Sequence, residues 1–256
     1  MQWVTVMINP LRFTADLRFA ACITLAISLL AAPAISQAAL TLNNTRVVFN
    51  GDKRSTSVIV KNPSKSTYAV QTWINTIADD TTTAVPFALS PMLFKLNAGN
   101  EQLIQISGLP HTLPKDRESL FFFNMQEIPQ ASTEPGNQLN IALRTRIKLF
   151  YRPQALKGTP TGQLKSLVFS LSEKNGIHHL LVRNPSPFHI TFVRLEVSGQ
   201  GQQQALNNTD MLEPFAEHAY PLTGIKPAPG LQAQFSVIND FGGYTEPQTL
   251  PIHLPN

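Results

Sequence analysis

Residues 139–152, LNIALRTRIKLFYR, alternate with a period of two. Leu139, Ile141, Leu143, Ile147, Leu149 and Tyr151 are apolar. Between them stand Asn140, Arg144, Arg146, Lys148 and Arg152, with Ala142 and Phe150 the exceptions. A helix would scatter these side chains around its axis, so the run predicts one long β-strand with a single apolar face. Together with Lys157 just beyond, it carries five cations and no acid. A strand that only fills a core has no use for that charge. A strand that offers an apolar row and a cationic anchor to another molecule does.

The rest of the chain fits an all-β fold. Alternating or β-branched runs at 45–49, 57–60, 69–74, 103–106, 120–126, 164–171, 179–183, 191–197 and 233–239 are separated by turn sequences such as Asn50-Gly51-Asp52, Lys174-Asn175-Gly176 and Asn97-Ala98-Gly99-Asn100. No segment holds a long 3.6-residue period. Short strands at this spacing, in a chain with 20 prolines, predict β-sandwiches. A stretch rich in Pro, Gly and Thr at 153–162 divides them, which gives a domain over 39–156 and another over 157–256. Val60-Lys61-Asn62-Pro63-Ser64 and Val182-Arg183-Asn184-Pro185-Ser186 are a weak echo of each other across that divide.

Residues 1–38 read as a cleaved export signal. Arg12 and Arg18 precede an apolar run at 19–30, and Ser36-Gln37-Ala38 offers small residues for a cut after Ala38. The run is too short for a membrane anchor, and no later run is long enough to span a bilayer. The only cysteine, Cys22, lies in the signal, so no disulfide staples the mature chain. With 20 Lys and Arg against 16 Asp and Glu, the protein is mildly basic, short of a nucleic-acid signature. No G-x-S-x-G, H-E-x-x-H or phosphate loop is present, and His178-His179 has no further ligand at metal spacing, so neither an enzyme, a cofactor nor a metal is expected. Phe121, Phe122 and Phe123 read as a strand's core and edge.

Four segments in order carry a resemblance: Asn44-Thr45-Arg46-Val47-Val48-Phe49, residues 113–124 (LPKDRESLFFFN), residues 141–153, and Ile238-Asn239-Asp240-Phe241-Gly242-Gly243. With them the chain resembles the periplasmic chaperones of the chaperone–usher pilus pathway, the PapD-like family. The resemblance implies two immunoglobulin-like β-sandwich domains set as an L around a cleft. It implies a non-enzymatic function: holding pilin subunits by donor-strand complementation in the periplasm and delivering them to an outer-membrane usher. By the same resemblance, Leu139, Ile141 and Leu143 are donor side chains for the subunit groove. Arg46 and Lys148 anchor the subunit's terminal carboxylate, and Glu118, Arg152 and Asp240 form an interdomain ion network. The ten-residue loop 129–138 resembles the short-loop subgroup that builds rod-like pili. Lys148 has the opposite parity to Leu139, Ile141 and Leu143; twist, a bulge or binding along the strand edge would reconcile them. The competing reading is a secreted structural or adhesive immunoglobulin-like protein, with Arg46 exposed and the cationic strand in a core.

Overall fold

The computed structural model describes residues 40–128 and 141–254. The signal segment, the 129–138 loop and the donor candidate Leu139 lie outside the described residues. Nine strands come first: β1 (Thr41–Leu42), β2 (Arg46–Asn50), β3 (Ser55–Lys61), β4 (Tyr68–Asn75), β5 (Phe87–Ser90), β6 (Leu93–Leu96), β7 (Glu101–Gly108), β8 (Ser119–Ile128) and β9 (Arg144–Arg152). They form a four-stranded sheet, β1-β3-β7-β5, and a five-stranded sheet, β2-β9-β8-β4-β6. The inward side chains of both sheets make one core, with Val58, Val60, Ile104, Ile106, Phe123 and Leu149 sealed from solvent. Burial of each such side chain is worth about 1.5–3 kcal/mol, the main force closing a sandwich without a disulfide.

A 3-10 turn, Pro160–Ser166, leads into the second sandwich. This corrects the expected strand at 164–171, which begins only at Val168. Pro160 fixes the first turn, and the Thr159 hydroxyl accepts the Gly162 amide, so the backbone curls before it can extend. Seven strands follow: β10 (Val168–Lys174), β11 (Ile177–Arg183), β12 (Phe192–Gly199), β13 (Gln202–Ala205), β14 (Glu217–Leu222), β15 (Gln232–Val237) and β16 (Gln248–His253). β16 pairs with β15 through Gln248–Pro251 and then with β10 through Ile252 and His253, so one strand stitches two sheets around the second core. Asn175 and Gly176, both at positive φ, close the β10–β11 hairpin with the backbone twist that two-residue loops favour.

The sequence echo is a repeated piece of structure. Asn62 and Asn184 are both buried, and each Nδ2 donates to two backbone carbonyls: Ser66 and Leu96 for the first, Phe188 and Glu213 for the second. Each Oδ1 accepts the amide and hydroxyl of the serine two residues on. The asparagine thus satisfies a corner that no strand can pair. In the second sandwich this corner faces the first: the Glu118 amide donates to the Pro187 carbonyl, and Phe188 lies under the Arg152 guanidinium at 5.1 Å.

Candidate functional site between the two sandwiches

β9 has two halves with different surroundings. Leu149, Phe150, Tyr151 and Arg152 are buried, while Arg144 is exposed and the residues between are half-buried. The odd-numbered row, Ile147, Leu149 and Tyr151, packs into the first core as expected. The even-numbered row points to the other face. There Phe150 meets the His189 ring of the second sandwich at 5.2 Å, and Arg152 reaches across to it.

The expected strand over 139–152 is corrected at 141–143: Ile141, Ala142 and Leu143 lie outside β9, which is described from Arg144 to Arg152. The Leu143 carbonyl still accepts the Glu127 amide at 3.0 Å. Beyond that bond, among the described residues, β8 reaches no further than Ile128 and no strand flanks the other side, so no described strand holds 141–143 in a ladder. Ile141 is 61% exposed and Leu143 54%.

The open side can be located. Leu143's carbonyl points toward β8, and Arg152's carbonyl accepts the Gly51 amide on the β2 side. Main-chain groups alternate along a strand. Even-numbered residues of β9 therefore direct their N–H and C=O toward β2. Yet β2 begins at Arg46, opposite Lys148, and runs parallel to β9 from there to Asn50 opposite Arg152. The main-chain groups of Arg144 and Arg146 face a side on which, among the described residues, no strand pairs. The β8–β9 register runs unshifted from Tyr151 to Arg144, and the β2–β9 register is also unshifted, so no bulge lies in this part of the strand.

The opening stops at two cations. Arg46 and Lys148 are cross-strand partners on the even-numbered face. Arg46 is 9% exposed; its Nη1 donates to the Ile238 carbonyl at 3.3 Å, its Nε has no partner, and its guanidinium lies 5.8 Å from the Phe150 ring. Among the described residues, neither Arg46 nor Lys148 has a carboxylate within salt-bridge distance. Burial lowers the pKa of both, and Arg46's charge lowers that of Lys148 further. Lys148 lines a depression of about 350 Å³ with Ile77, Leu120 and Phe122 from the first sandwich and Met211, Glu213 and His218 from the second. The charges of Asp240 and Glu118 offset part of the cost at Arg46, but two desolvated cations side by side without a paired carboxylate remain a costly arrangement that one would relieve.

Arg152, further along the same face, is fully partnered. Arg152 Nε donates to Glu118 Oε1 at 2.9 Å, and its two terminal nitrogens donate to Asp240 at 2.8 and 2.9 Å. Glu118's second oxygen accepts the His189 amide at 2.8 Å and lies 3.1 Å from His189 Nδ1. Burial alone would lower the pKa of Arg152; the hydrogen bonds and charges of Asp240 and Glu118 outweigh it and hold it above the ordinary value. The Asp240 loop is fixed in turn. Asn239 Oδ1 accepts the amides of Phe241 and Gly243, and Gly242, at φ +84°, presses so closely on Thr45 that a Cβ there would run into the Thr45 hydroxyl. Three of the four segments that carried the resemblance, those of Arg46, Glu118 and Asp240, thus meet Arg152 or its neighbours, which belong to the fourth.

Comparison with known proteins identifies the family. Residues 39–157 match the family model described as "Pili and flagellar-assembly chaperone, PapD N-terminal domain", and residues 163–249 match "Pili assembly chaperone PapD, C-terminal domain". The chain belongs to the PapD-like pilus-assembly chaperones. It is 34% identical over 220 residues to the probable fimbrial chaperone YadV of Escherichia coli K12, covering 82% of this chain and 89% of YadV. It is 35% identical over 211 residues to the E. coli chaperone protein PapD, covering 81% and 84%. The YadV crystal structure superposes with a TM-score of 0.70 at 32% identity, over 83% of this chain and all of that one. The Salmonella enterica SafB chaperone, solved in complex with the SafA pilin, gives 0.70 at 27% identity, over 85% and 98%. The family is one of assembly chaperones, not enzymes.

Sequence reasoning missed several residues around this site. His189 and Phe150 join the Arg152 cluster, Asp79 and Asn124 hold Arg144, and Asn75 braces both of them. The corner that places His189 was visible as the Asn184-Pro185-Ser186 echo. Asp79 carried no signal, because it sits in a loop and meets Arg144 only through the fold. His178 and His179 lie on β11 beside the hairpin turn, and among the described residues no cluster fit to hold a metal includes them.

Proposed function

We propose that this chain is a periplasmic chaperone that binds pilin subunits by donor-strand complementation. The observation that carries the reading is the edge of β9, open at Arg144 and Arg146, stopped at Arg46 and Lys148, and prolonged by the exposed Ile141 and Leu143. A subunit lacking its last strand exposes a sheet edge and an apolar groove, both prone to aggregation. Its terminal strand can add to the open half of β9 and place its carboxylate on the two cations. Because β2 starts where that carboxylate would lie, the added strand runs parallel to β9, in line with β2. Ile141 and Leu143, with Leu139 beyond them, extend the core-facing row into the subunit's groove.

This disposes of the parity conflict. The partner adds along the edge, so the donor row on one face and Lys148 on the other can both serve it. No nucleotide is needed, because burial and backbone pairing supply the free energy. Glu118, Arg152 and Asp240 would hold the two sandwiches, proposed over 39–156 and 157–256, in the relation that keeps the Ile238 carbonyl on Arg46 and the Met211 and His218 wall beside Lys148. Removal of residues 1–38 on export and delivery to an outer-membrane usher complete the proposal on kinship alone. The SafB–SafA complex supports a pilin as the partner class. A secreted structural protein would leave Arg46 exposed, whereas it is buried and short of partners.

The test is periplasmic co-expression with a pilin subunit encoded beside this chain. Wild type should yield a one-to-one complex. Arg46→Ala and Lys148→Ala should yield none while remaining folded. Adding one residue to the subunit's C-terminus should weaken capture by displacing the carboxylate; capture at wild-type level in either cation variant would remove the anchor.

A further inference from the structure

The open half of β9 has no neighbour on its β2 side, yet its side chains are firmly held. The Arg144 guanidinium donates to both oxygens of Asp79 and, through Nε at 3.1 Å and Nη2 at 2.6 Å, to Asn124 Oδ1. It also lies 4.9 Å from the Trp73 ring. Arg146 Nη2 donates to the Thr76 carbonyl at 2.8 Å, its Nε is 3.7 Å from Asp79, and its guanidinium stacks 3.8 Å from the Phe122 ring. Asp79 stands at φ +58° and accepts Asn75 Nδ2 at 2.7 Å, while buried Asn124 donates to Asn75 Oδ1 at 2.9 Å. One carboxylate in a loop therefore ties together β4, β8 and the two residues whose main-chain groups form the open edge.

We infer that Asp79 is a positioning residue for subunit capture: through Arg144 and Arg146 it keeps the half of β9 that lacks a partner on its β2 side extended and ready to accept a strand. The inference rests on the strand-addition reading. An edge lacking a partner on one side frays, and a partner strand meeting a frayed edge must wait for the extended form. Affinity then falls by the fraction of time the edge is formed, chiefly through a slower association. The same loop carries Ile77, 72% exposed, which walls the Lys148 depression. Releasing Asp79 would loosen the edge and the wall beside the anchor together. Asp79's own carboxyl is held below the usual range, first by its hydrogen bond from Arg144 and then by that from Asn75, so it stays ionised at neutral pH.

The test uses Asp79→Asn, because asparagine tolerates positive φ and the substitution removes charge without straining the backbone. Amide exchange in the full-length free chaperone is read at Thr145 and Ile147, whose N–H groups face β8, with Leu149 and Tyr151 as internal references. Capture is read by diluting urea-unfolded subunit, encoded beside this chain, into the chaperone. The variant should exchange Thr145 roughly tenfold faster with Leu149 unchanged, and associate roughly tenfold more slowly with little change in dissociation. Arg144→Gln should do the same, and the double variant should be no worse than either single one. Wild-type exchange at Thr145, or faster exchange with wild-type association, would overturn the proposal. If the wild-type chaperone captured no subunit, strand addition itself would fall and this role with it; if Lys148→Ala lost capture and Asp79→Asn kept it, only this role would fall.

Discussion

Arg152 and the Arg46–Lys148 pair lie within four positions of each other along β9, on the same face of the same sheet, and are treated oppositely. Arg152 has Glu118 and Asp240 on its guanidinium, with His189 on the far oxygen of Glu118. Arg46 and Lys148 share the partial burial, and among the described residues no carboxylate forms a salt bridge with either, although the charges of Asp240 and Glu118 are felt at Arg46. Burial of charge is tolerated in the first case because every member is satisfied. In the second it is an unfilled demand. The difference teaches that the closed cluster belongs to the architecture and the open one to whatever brings an anion.

The largest effect should follow from breaking the closed cluster. Arg152→Ala leaves Glu118 almost wholly buried and facing only His189, which should cost about 3–5 kcal/mol of stability in thermal or urea unfolding. Subunit capture would then fall because the second sandwich no longer holds the Ile238 carbonyl against Arg46 or the far wall of the depression beside Lys148. Lys148→Ala should behave in the opposite way: no loss of stability, and a loss of about 2–5 kcal/mol in subunit affinity, read by competition between variant and wild-type chaperone for one subunit. If both variants lost stability alike, the contrast between the clusters would disappear.

The exposed row sharpens the same contrast from the other face. Ile141→Ala or Leu143→Ala should leave stability within about 0.5 kcal/mol, since more than half of each side chain is in solvent, and should cost about 1.5–3 kcal/mol in affinity. Ile141→Asp should be worse than alanine, because the charge would be carried into an apolar groove. A drop in melting temperature with unchanged capture would make these residues part of the fold.

The smallest effect is one of pH. Lys148's pKa is lowered in the folded chain, so below its ordinary value of 10.5 the unfolded state binds more protons than the folded one. Stability of the free chaperone should therefore rise with pH from the depressed folded value up to 10.5, by at most about 1.4 kcal/mol per unit for one proton. Tyr220 works the other way at higher pH: burial, then Asp210 and Glu213, push its pKa up to about 12, so its contribution falls above 10. The difference between wild type and Lys148→Met, measured by urea unfolding below pH 10, isolates the lysine. A pH-independent difference would mean that Lys148 is not strained in the free protein.

How much of this was legible beforehand depends on distance along the chain. The alternation of Ile147, Leu149 and Tyr151 is local, and it gave the core-facing row correctly. Where the ladder ends is not local: Ile141 and Leu143 alternate as well as their neighbours, but among the described residues the Glu127–Leu143 hydrogen bond is the last pairing on this side, which sequence alternation does not reveal. The short strands β1, β5, β6 and β13 have two to four residues each, too few for a period to show. Residues 164–166 had strand-like composition, yet Thr159 and Pro160 upstream curled them. Arg46, Glu118 and Asp240 came from family likeness; nothing in their own surroundings marks them out, since their partners are 34 to 192 residues away. Asp79 had neither a local pattern nor a family motif and became visible only in the structure.

Amide hydrogen exchange at Arg144 and Arg146, in the free chaperone and in the purified complex with a pilin subunit, tests strand addition most directly. In the free chaperone both N–H groups face the open side and should exchange fast, while Thr145 is protected by β8. In the complex both should slow by roughly a hundredfold or more, because an added strand takes up those groups. If they still exchanged at the free rate in an intact complex, the subunit would be bound elsewhere, and the open edge of β9 would not be its binding site.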